Sequence, residues 1–123
     1  MPFNEPSLPL QDILDAILMI REFTGNMSFE EFRDDPKTIA AVERKLLVIS
    51  EAAIRLGENA PVLIPEIPWR NIRGIGNWLR HQYDRVDVAT IWSTVIGDLP
   101  PLTASIRRVL SERPGQAKGP TLG

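Results

Sequence analysis

The longest helical pattern of the 123-residue chain lies at residues 37–57 and reads KTIAAVERKLLVISEAAIRLG. Apolar residues recur in it at intervals of three and four, which is the spacing of one buried face of an α-helix. This stripe consists of Ile39, Val42, Leu46, Ile49, Ala53 and Leu56. Gly57 follows as a helix stop. We expect a long central helix from about residue 35 that ends before this glycine.

Two further helical patterns precede the central one. Apolar residues at 10–23 follow the same spacing, with Ser7 as a candidate cap and Gly25-Asn26 as a stop. Ser28 and Glu31 then have the form of a capping box, in which each side chain bonds the other's backbone N–H. The sequence therefore predicts a short helix over residues 29–34.

Prolines dominate the next stretch, residues 58–68. They stand at positions 61, 65 and 68, and no regular apolar period accompanies them, which predicts an ordered connection. Pro68 suits the first turn of a helix, so a fourth helix is expected from there to about Tyr83.

The remaining patterns complete an all-helical chain. Residues 86–96 are rich in apolar side chains, Gly97-Asp98 predicts a break, and residues 100–110 begin a last helix. Alternation of apolar and polar residues never persists, which argues against strands. We expect an all-α, antiparallel bundle of about five helices forming a single domain over residues 1–112, with residues 113–123 as a disordered tail.

Composition excludes several classes of protein. Cysteine is absent, so disulfides, thiolate zinc sites and cysteine nucleophiles are excluded. No stretch approaches the ~18 to 20 apolar residues of a membrane span, and the first residues lack a leader pattern, so we expect a cytoplasmic protein without membrane contact. Phosphate-binding loops, dinucleotide fingerprints and metal-binding histidine pairs are missing, and we expect no cofactor and no metal.

The fourth predicted helix separates into two faces. Its sequence at residues 70–84 is RNIRGIGNWLRHQYD. At about 100° per residue, one face collects apolar side chains, namely Ile72, Ile75, Trp78 and Leu79. The opposite face collects Arg70, Arg73, Asn77, Arg80, His81 and Asp84. Because the net charge of the whole chain is −2, any contact with nucleic acid must be local to this basic face.

The only histidine, His81, lies on this polar face. Imidazole can move a proton near neutral pH and guanidinium can hold phosphate oxygens, so a histidine beside arginines suits phosphodiester chemistry. A solvated helix face without chemistry is the alternative interpretation. Gly74 and Gly76 cost helix stability, which indicates close approach of a backbone or ligand, or a local kink.

The run IPWRNIRGIGNWLRHQYDRVD, residues 67–87, resembles the signature region of HepT-like HEPN proteins. The segment ERKLLVISEAAIRL, residues 43–56, is similar to the helix that precedes this signature. The resemblance covers roughly residues 8–110 and is sharpest over residues 77–83. Members of the family are toxin halves of toxin and antitoxin pairs, and their partner is a minimal nucleotidyltransferase.

The resemblance implies a homodimer in which two copies of the signature helix line a shared cleft, and RNA cleavage without a metal. His81 matches the histidine that handles the 2′-hydroxyl or leaving-group proton, and Asn77 matches the polar residue that orients the site. Tyr83 matches the tyrosine to which the nucleotidyltransferase partner adds AMP in some pairs.

The chain departs from the family signature at one position. The signature has an arginine, four to six residues, a histidine, one residue and a tyrosine, but Gly76 stands directly before Asn77 where the arginine is usual. Either Arg73 or Arg80 supplies the guanidinium from the same face, or the ribonuclease activity is weakened or lost. We favour Arg73, which lies one helical turn before Asn77.

Three functions therefore compete. The first is a ribonuclease toxin that uses His81, Arg73, Asn77 and Arg80. The second is a non-catalytic helical module that binds a nucleotidyltransferase and is modified on Tyr83. The third is a dimerisation unit without a ligand.

The tryptophans at 69, 78 and 92 are either interface anchors or core residues.

Overall fold

A computed structural model describes residues 5–80 and 87–112 of the chain. Its helices are α1 (Ser7–Thr24), α2 (Phe29–Arg33), α3 (Pro36–Leu56), α4 (Asn59–Leu63), α5 (Trp69–Arg80), α6 (Val88–Ser93) and α7 (Leu99–Ser111). The central helix α3 packs against both α1 and α5, while α7 packs on α1 and α2 packs on α3 and α6. No strand occurs among the described residues, and the all-α bundle predicted from the sequence is confirmed.

The ends of the first three helices follow their predicted signals. Gly25 and Gly57 end α1 and α3 with φ angles of 51° and 54°, a conformation that favours glycine. Ser28 and Glu31 form the predicted capping box of α2. Ser7 differs from its prediction, because it is the first residue of α1 rather than its cap, and its hydroxyl donates to the Glu5 carboxylate at 2.7 Å.

The predicted connection over residues 58–68 contains the short helix α4, which its sequence pattern does not predict. Pro61 is the third residue of α4. A proline is tolerated there, since the first N–H groups of a helix have no intrahelical acceptor. Ala60 and Ile64 are buried beneath this turn, so tertiary packing offsets the weak helical propensity of the segment.

The predicted break at Gly97-Asp98 is wrong. The backbone stays helical through a π turn, Thr94–Asp98, which joins α6 directly to α7. Ile91 before the turn and Leu99 after it are both buried, so a wide turn keeps the two helices on the same core. The last predicted helix is confirmed as α7. The predicted tail at 113–123 lies outside the described residues.

The core lies where α3 meets α1 and α5, and α7 adds to it by packing on α1. Leu46 and Ile49 of α3 are fully buried in it, as are the apolar stripes of α1 and α7. Arg55 of α3 pairs with Asp12 of α1, and Arg108 of α7 pairs with Glu66 just before α5. None of the described helices is long and apolar enough to cross a membrane.

Candidate functional site

Helix α5 has the two faces that its sequence predicts. Ile72 and Ile75 are buried and Trp78 and Leu79 are half-buried against the core. The polar side chains Arg70, Asn77 and Arg80 are exposed and Arg73 is half-buried. The structure therefore brings three of the four predicted catalytic residues, Arg73, Asn77 and Arg80, onto one helix. His81 lies outside the described residues, as does Tyr83.

The arginines of α5 carry uncompensated charge within the described part of the chain. The ion pairs there involve Arg33, Arg55 and Arg108, and none involves Arg70, Arg73 or Arg80. No acidic residue occurs between Pro68 and Arg80. Guanidinium groups without a carboxylate partner are available to an anionic ligand, and phosphate oxygens fit their geometry.

Gly76 of α5 lies directly against Ser50 of α3. The hydroxyl of Ser50 on α3 accepts a hydrogen bond from the Gly76 N–H at 3.1 Å and donates one to the Arg73 carbonyl at 2.7 Å. A Cβ atom at position 76 would lie 2.9 Å from the Ser50 hydroxyl oxygen, closer than side chains tolerate. The close approach predicted from the glycines is therefore made by a side chain of α3.

Gly74 does not share this role, because a Cβ built there meets nothing within 4 Å. Only Gly76 is required by the packing of the two helices. Any larger residue at position 76, including the arginine that the family signature usually places there, would have to displace the Ser50 hydroxyl.

The guanidinium of Arg80 lies beside the vacant position at Gly76. Both of its terminal nitrogens are 3.4 Å from where a Cβ of residue 76 would stand. Arg80 follows Gly76 by four residues, so the two lie about 40° apart around the helix axis. The long side chain of Arg80 thus folds back over the glycine, and a guanidinium occupies the neighbourhood of position 76 although that residue has no side chain.

The segment that holds His81 joins α5 to α6, and both neighbouring helices are anchored. Asp87 caps α6 by accepting from the Ala89 N–H at 3.1 Å. Trp92 of α6 packs on Phe32 of α2 with ring centroids 4.9 Å apart. The helix that follows residues 81–86 is therefore held against the bundle through α2.

Tertiary packing also anchors the start of α5. Trp69 is buried and its indole N–H donates to the Ile64 carbonyl at 2.8 Å, which makes this tryptophan a core residue. The Glu66 carboxylate accepts from the Ser105 hydroxyl at 2.9 Å and pairs with Arg108 at 3.1 Å. The pKa of Glu66 is lowered by its own backbone N–H, by Ser105 and by Arg108.

Glu43 is a partly buried acid on α3. Burial raises the pKa of its carboxyl, because a charged carboxylate is poorly solvated there. Glu43 precedes Ser50 by seven residues, so both lie on one face of α3. Within residues 5–80 and 87–112, no group of three His, Cys, Asp or Glu side chains is placed to hold a metal ion.

Sequence reasoning missed Ser50. The residue lies in the apolar stretch LVISEAA of α3, where a buried serine is the one polar side chain on the side that faces α5. A small polar residue in a buried helix stripe, combined with a glycine in the helix that packs on it, is a signal that two backbones approach closely. The glycine alone predicted a close approach, but only the two residues together identify α3 as the neighbouring helix.

An all-α bundle with a basic signature helix next to the single histidine defines a helical domain of the HEPN class. The chain belongs to the HepT-like ribonuclease family, since the family described as "Ribonuclease HepT-like" matches residues 13–109. A protein of Thermococcus cleftensis named "Probable ribonuclease HepT" is 41% identical over 100 residues, which span 81% of this chain and 91% of that protein.

A second relative, from Methanocaldococcus jannaschii, has a name that describes it as a candidate RNase. It is 34% identical over 116 residues, which span 94% of this chain and 96% of that protein. A third, from Caldanaerobacter subterraneus, is named in the same way and is 30% identical over 103 residues, 84% of this chain and 92% of that protein. No solved structure matches the chain significantly.

Proposed function

We propose that this protein is an endoribonuclease that cleaves RNA without a metal, as the toxin half of a pair with a minimal nucleotidyltransferase. The observation that carries the proposal is that Arg70, Arg73 and Arg80 of α5 form no ion pair with any other described residue, and that Arg80 directly precedes His81. Membership of a family whose relatives carry RNase names supports it.

The proposed reaction is attack of a ribose 2′-hydroxyl on the adjacent phosphodiester. The bond between the 2′-oxygen and phosphorus forms while the bond from phosphorus to the 5′-oxygen breaks. His81 either removes the 2′-hydroxyl proton, in which case water protonates the departing 5′-oxygen, or protonates the 5′-oxygen, in which case water takes the 2′-hydroxyl proton. Arg80 and Arg73 hold the non-bridging phosphate oxygens, whose charge grows during the attack. Asn77 orients the phosphate or the imidazole.

Of the two candidate guanidiniums, we propose that Arg80 replaces the signature arginine. The guanidinium of Arg80 lies beside position 76, within 3.4 Å of where its Cβ would be. Arg73 lies a turn earlier on α5 and supplies a second phosphate contact in this proposal. The order differs from the expectation drawn from the sequence, which favoured Arg73.

The proposal is tested with purified protein and a short RNA oligonucleotide in the presence of EDTA. We expect the wild type to cleave and His81→Ala to be inactive. Arg107→Ala is the matched control, because it removes an exposed arginine on α7, away from α5. Expression in a bacterial host should slow growth only for the wild type and the control. Equal growth and intact RNA with the wild type and His81→Ala would reject the activity.

We further propose that two copies of the chain form a homodimer with their α5 helices across one cleft. The support is the family and the basic face itself, since two such faces would surround an RNA strand with positive charge. Sedimentation of the purified protein at micromolar concentration gives its mass. A monomer under the conditions in which RNA is cleaved would contradict the dimer and leave the ribonuclease proposal intact.

A second candidate function is that of a substrate for the nucleotidyltransferase partner, which would add AMP to Tyr83. Gly76 favours this alternative, because the signature arginine is missing. An AMP phosphate beside the unpaired arginines of α5 would occupy the groups needed for RNA. Incubating both proteins with ATP should add the mass of one AMP, and Tyr83→Phe should prevent it. Tyr83 is the only tyrosine, so the assignment is unambiguous.

A further inference from the structure

Ser50 is a buried hydroxyl whose two hydrogen bonds both end on the backbone of a neighbouring helix. Only 1% of the residue is exposed. It donates to the Arg73 carbonyl and accepts from the Gly76 N–H, and these two groups are one turn apart on α5. Hydrogen bonds are directional, so this pair fixes both the rotation and the axial position of α5 on α3.

Apolar contacts alone would fix the rotation and axial position of α5 on α3 less closely than these hydrogen bonds do. Ile72 and Ile75 are buried, but the hydrophobic effect that stabilises their contacts is non-directional, whereas a hydrogen bond depends on angle as well as distance. The two hydrogen bonds of the Ser50 oxygen can both form only over a narrow range of positions and rotations of α5. Gly76 makes these bonds possible, because any Cβ there would displace the hydroxyl.

The groups fixed by Ser50 are those of the proposed site. Its first partner is the backbone of Arg73, and its second is the residue over which the Arg80 guanidinium lies. We infer that Ser50 is a positioning residue of this site, which sets where the two guanidiniums stand relative to the phosphate. The inference rests on the proposed ribonuclease function.

The test compares Ser50→Ala with the wild type on the same RNA oligonucleotide. The alanine lacks the hydroxyl and adds no bulk. We expect kcat to fall by about 10- to 100-fold, since small misplacement of catalytic groups costs rates of this order. KM should change by less than about threefold, because flexible arginines still reach phosphates from a slightly displaced helix.

Thr103→Val is the matched control. Thr103 is also a buried hydroxyl that donates to a backbone carbonyl, that of Leu99, but within α7. This variant should keep the kcat of the wild type within about twofold, because its bond does not reach α5. A loss of kcat equal to that of Ser50→Ala would show a general effect of lost stability and would overturn the inference.

A second variant disrupts the contact between Ser50 and Gly76 by a substitution on α5. Gly76→Ala forces the Ser50 hydroxyl aside, so it should lower kcat as Ser50→Ala does. The double variant Ser50→Ala/Gly76→Ala should be no slower than the slower single variant, because both changes break the same contact. Multiplication of the two losses would overturn the inference even if one single variant folds poorly.

Failure of the positioning role can be told apart from failure of the proposed function. If the wild type leaves RNA intact, the ribonuclease proposal fails, and binding is then measured with a 2′-O-methyl RNA oligonucleotide. Altered nitrogen-15 NMR signals of the Arg73 and Arg80 side chains in Ser50→Ala, but not in Thr103→Val, would still support positioning. If the wild type cleaves and Ser50→Ala keeps its kcat, the positioning role alone is wrong.

Discussion

The Ser50 hydroxyl accepts a hydrogen bond from the Gly76 N–H at 3.1 Å, and its oxygen lies only 2.9 Å from where the Cβ of any other residue at position 76 would stand. Position 50 and position 76 are therefore coupled. The serine on α3 disfavours any side chain at position 76 of α5, and the glycine leaves room for the Arg80 guanidinium beside it. The signature arginine could stand at position 76 only if the Ser50 hydroxyl moved.

This coupling predicts opposite effects for the two glycines of α5. Alanine in a helix is favoured over glycine by about 1 kcal/mol. Gly74→Ala meets nothing within 4 Å, so it should raise the free energy of unfolding by about 0.5 to 1 kcal/mol. Gly76→Ala displaces the Ser50 hydroxyl and should lower it by roughly 1 to 2 kcal/mol, since crowding and lost hydrogen bonds exceed the gain in propensity.

Urea unfolding of the single and double variants measures this coupling. In a Ser50→Ala background the hydroxyl is gone, so Gly76→Ala should become neutral or stabilising. The interaction energy from the double-mutant cycle should reach at least about 1 kcal/mol. An equal loss of stability from Gly76→Ala in both backgrounds would mean that Ser50 is not the group that excludes a side chain at 76.

Much of the fold could be predicted from sequence because its long helices are strongly periodic. The stripes of α1 and α3, and the stops at Gly25 and Gly57, are local properties of the chain. The errors concern segments whose structure depends on distant contacts. The turn of α4 and the π turn at Thr94–Asp98 stay helical because buried residues beside them pack on the bundle.

The candidate site also has some features that local sequence predicts and others that depend on distant contacts. Helical angles alone place Arg73, Asn77 and Arg80 on one polar face. The contact from Ser50 to Gly76 spans 26 residues and depends on how two helices are placed, which no local pattern reveals. The preference for Arg80 over Arg73 also needs the structure, because it depends on which guanidinium lies near position 76.

Two acids should give opposite dependences of stability on pH. Burial raises the pKa of Glu43 above its ordinary value of 4.5, so the folded state holds this proton more tightly. Its ionisation costs stability as pH rises from about 4.5 through the folded-state pKa. Glu43→Gln should therefore be more stable than the wild type at pH 7, and the difference should shrink as pH falls below 4.5.

Ionisation of Glu66 should change stability in the opposite direction. Its pKa is lowered from 4.5, first by its own backbone N–H and then by Ser105 and Arg108, so its contribution to stability is present above 4.5. That contribution is lost as pH falls through the folded-state pKa. Glu66→Gln should be less stable than the wild type at pH 7 and equal to it in acid. Chemical denaturation across the pH range checks both variants, and equal signs would contradict the assignment.

The aromatic contact between α2 and α6 should stabilise the helix that follows the signature segment. Trp92 is half-buried and stacks on Phe32 and, at 6.3 Å, on Phe29. Trp92→Ala should cost about 2 to 3 kcal/mol, somewhat below the cost for a fully buried ring. Trp92→Phe should cost less, because it keeps a ring against Phe32.

Val62→Ala is the control for Trp92, since Val62 is 78% exposed and should change stability by less than about 0.5 kcal/mol. Thermal unfolding monitored by circular dichroism measures all three variants. A Trp92→Ala protein as stable as the Val62→Ala protein would show that the rings touch without holding α6 in place.

The dependence of RNA affinity on salt concentration should show that Arg80 contacts a phosphate. The Arg80 guanidinium has no ion pair among the described residues, so it can bind phosphate without first breaking a bond. Each phosphate contact to a single strand adds about 0.7 to the slope of log affinity against log salt. Arg80→Ala should therefore weaken binding of a 2′-O-methyl RNA oligonucleotide and reduce this slope by roughly that amount.

Arg80→Lys and Arg107→Ala separate charge from geometry in the same titration. Lysine keeps the charge, so Arg80→Lys should nearly preserve the salt slope, but it lacks the planar fork of donors and should still lower kcat by about tenfold or more. Arg107→Ala removes an equal charge from α7 and should leave the slope unchanged. If Arg107→Ala and Arg80→Ala reduce the slope equally, RNA contacts arginines of α7 as much as those of α5, and the basic face of α5 is not its specific binding site.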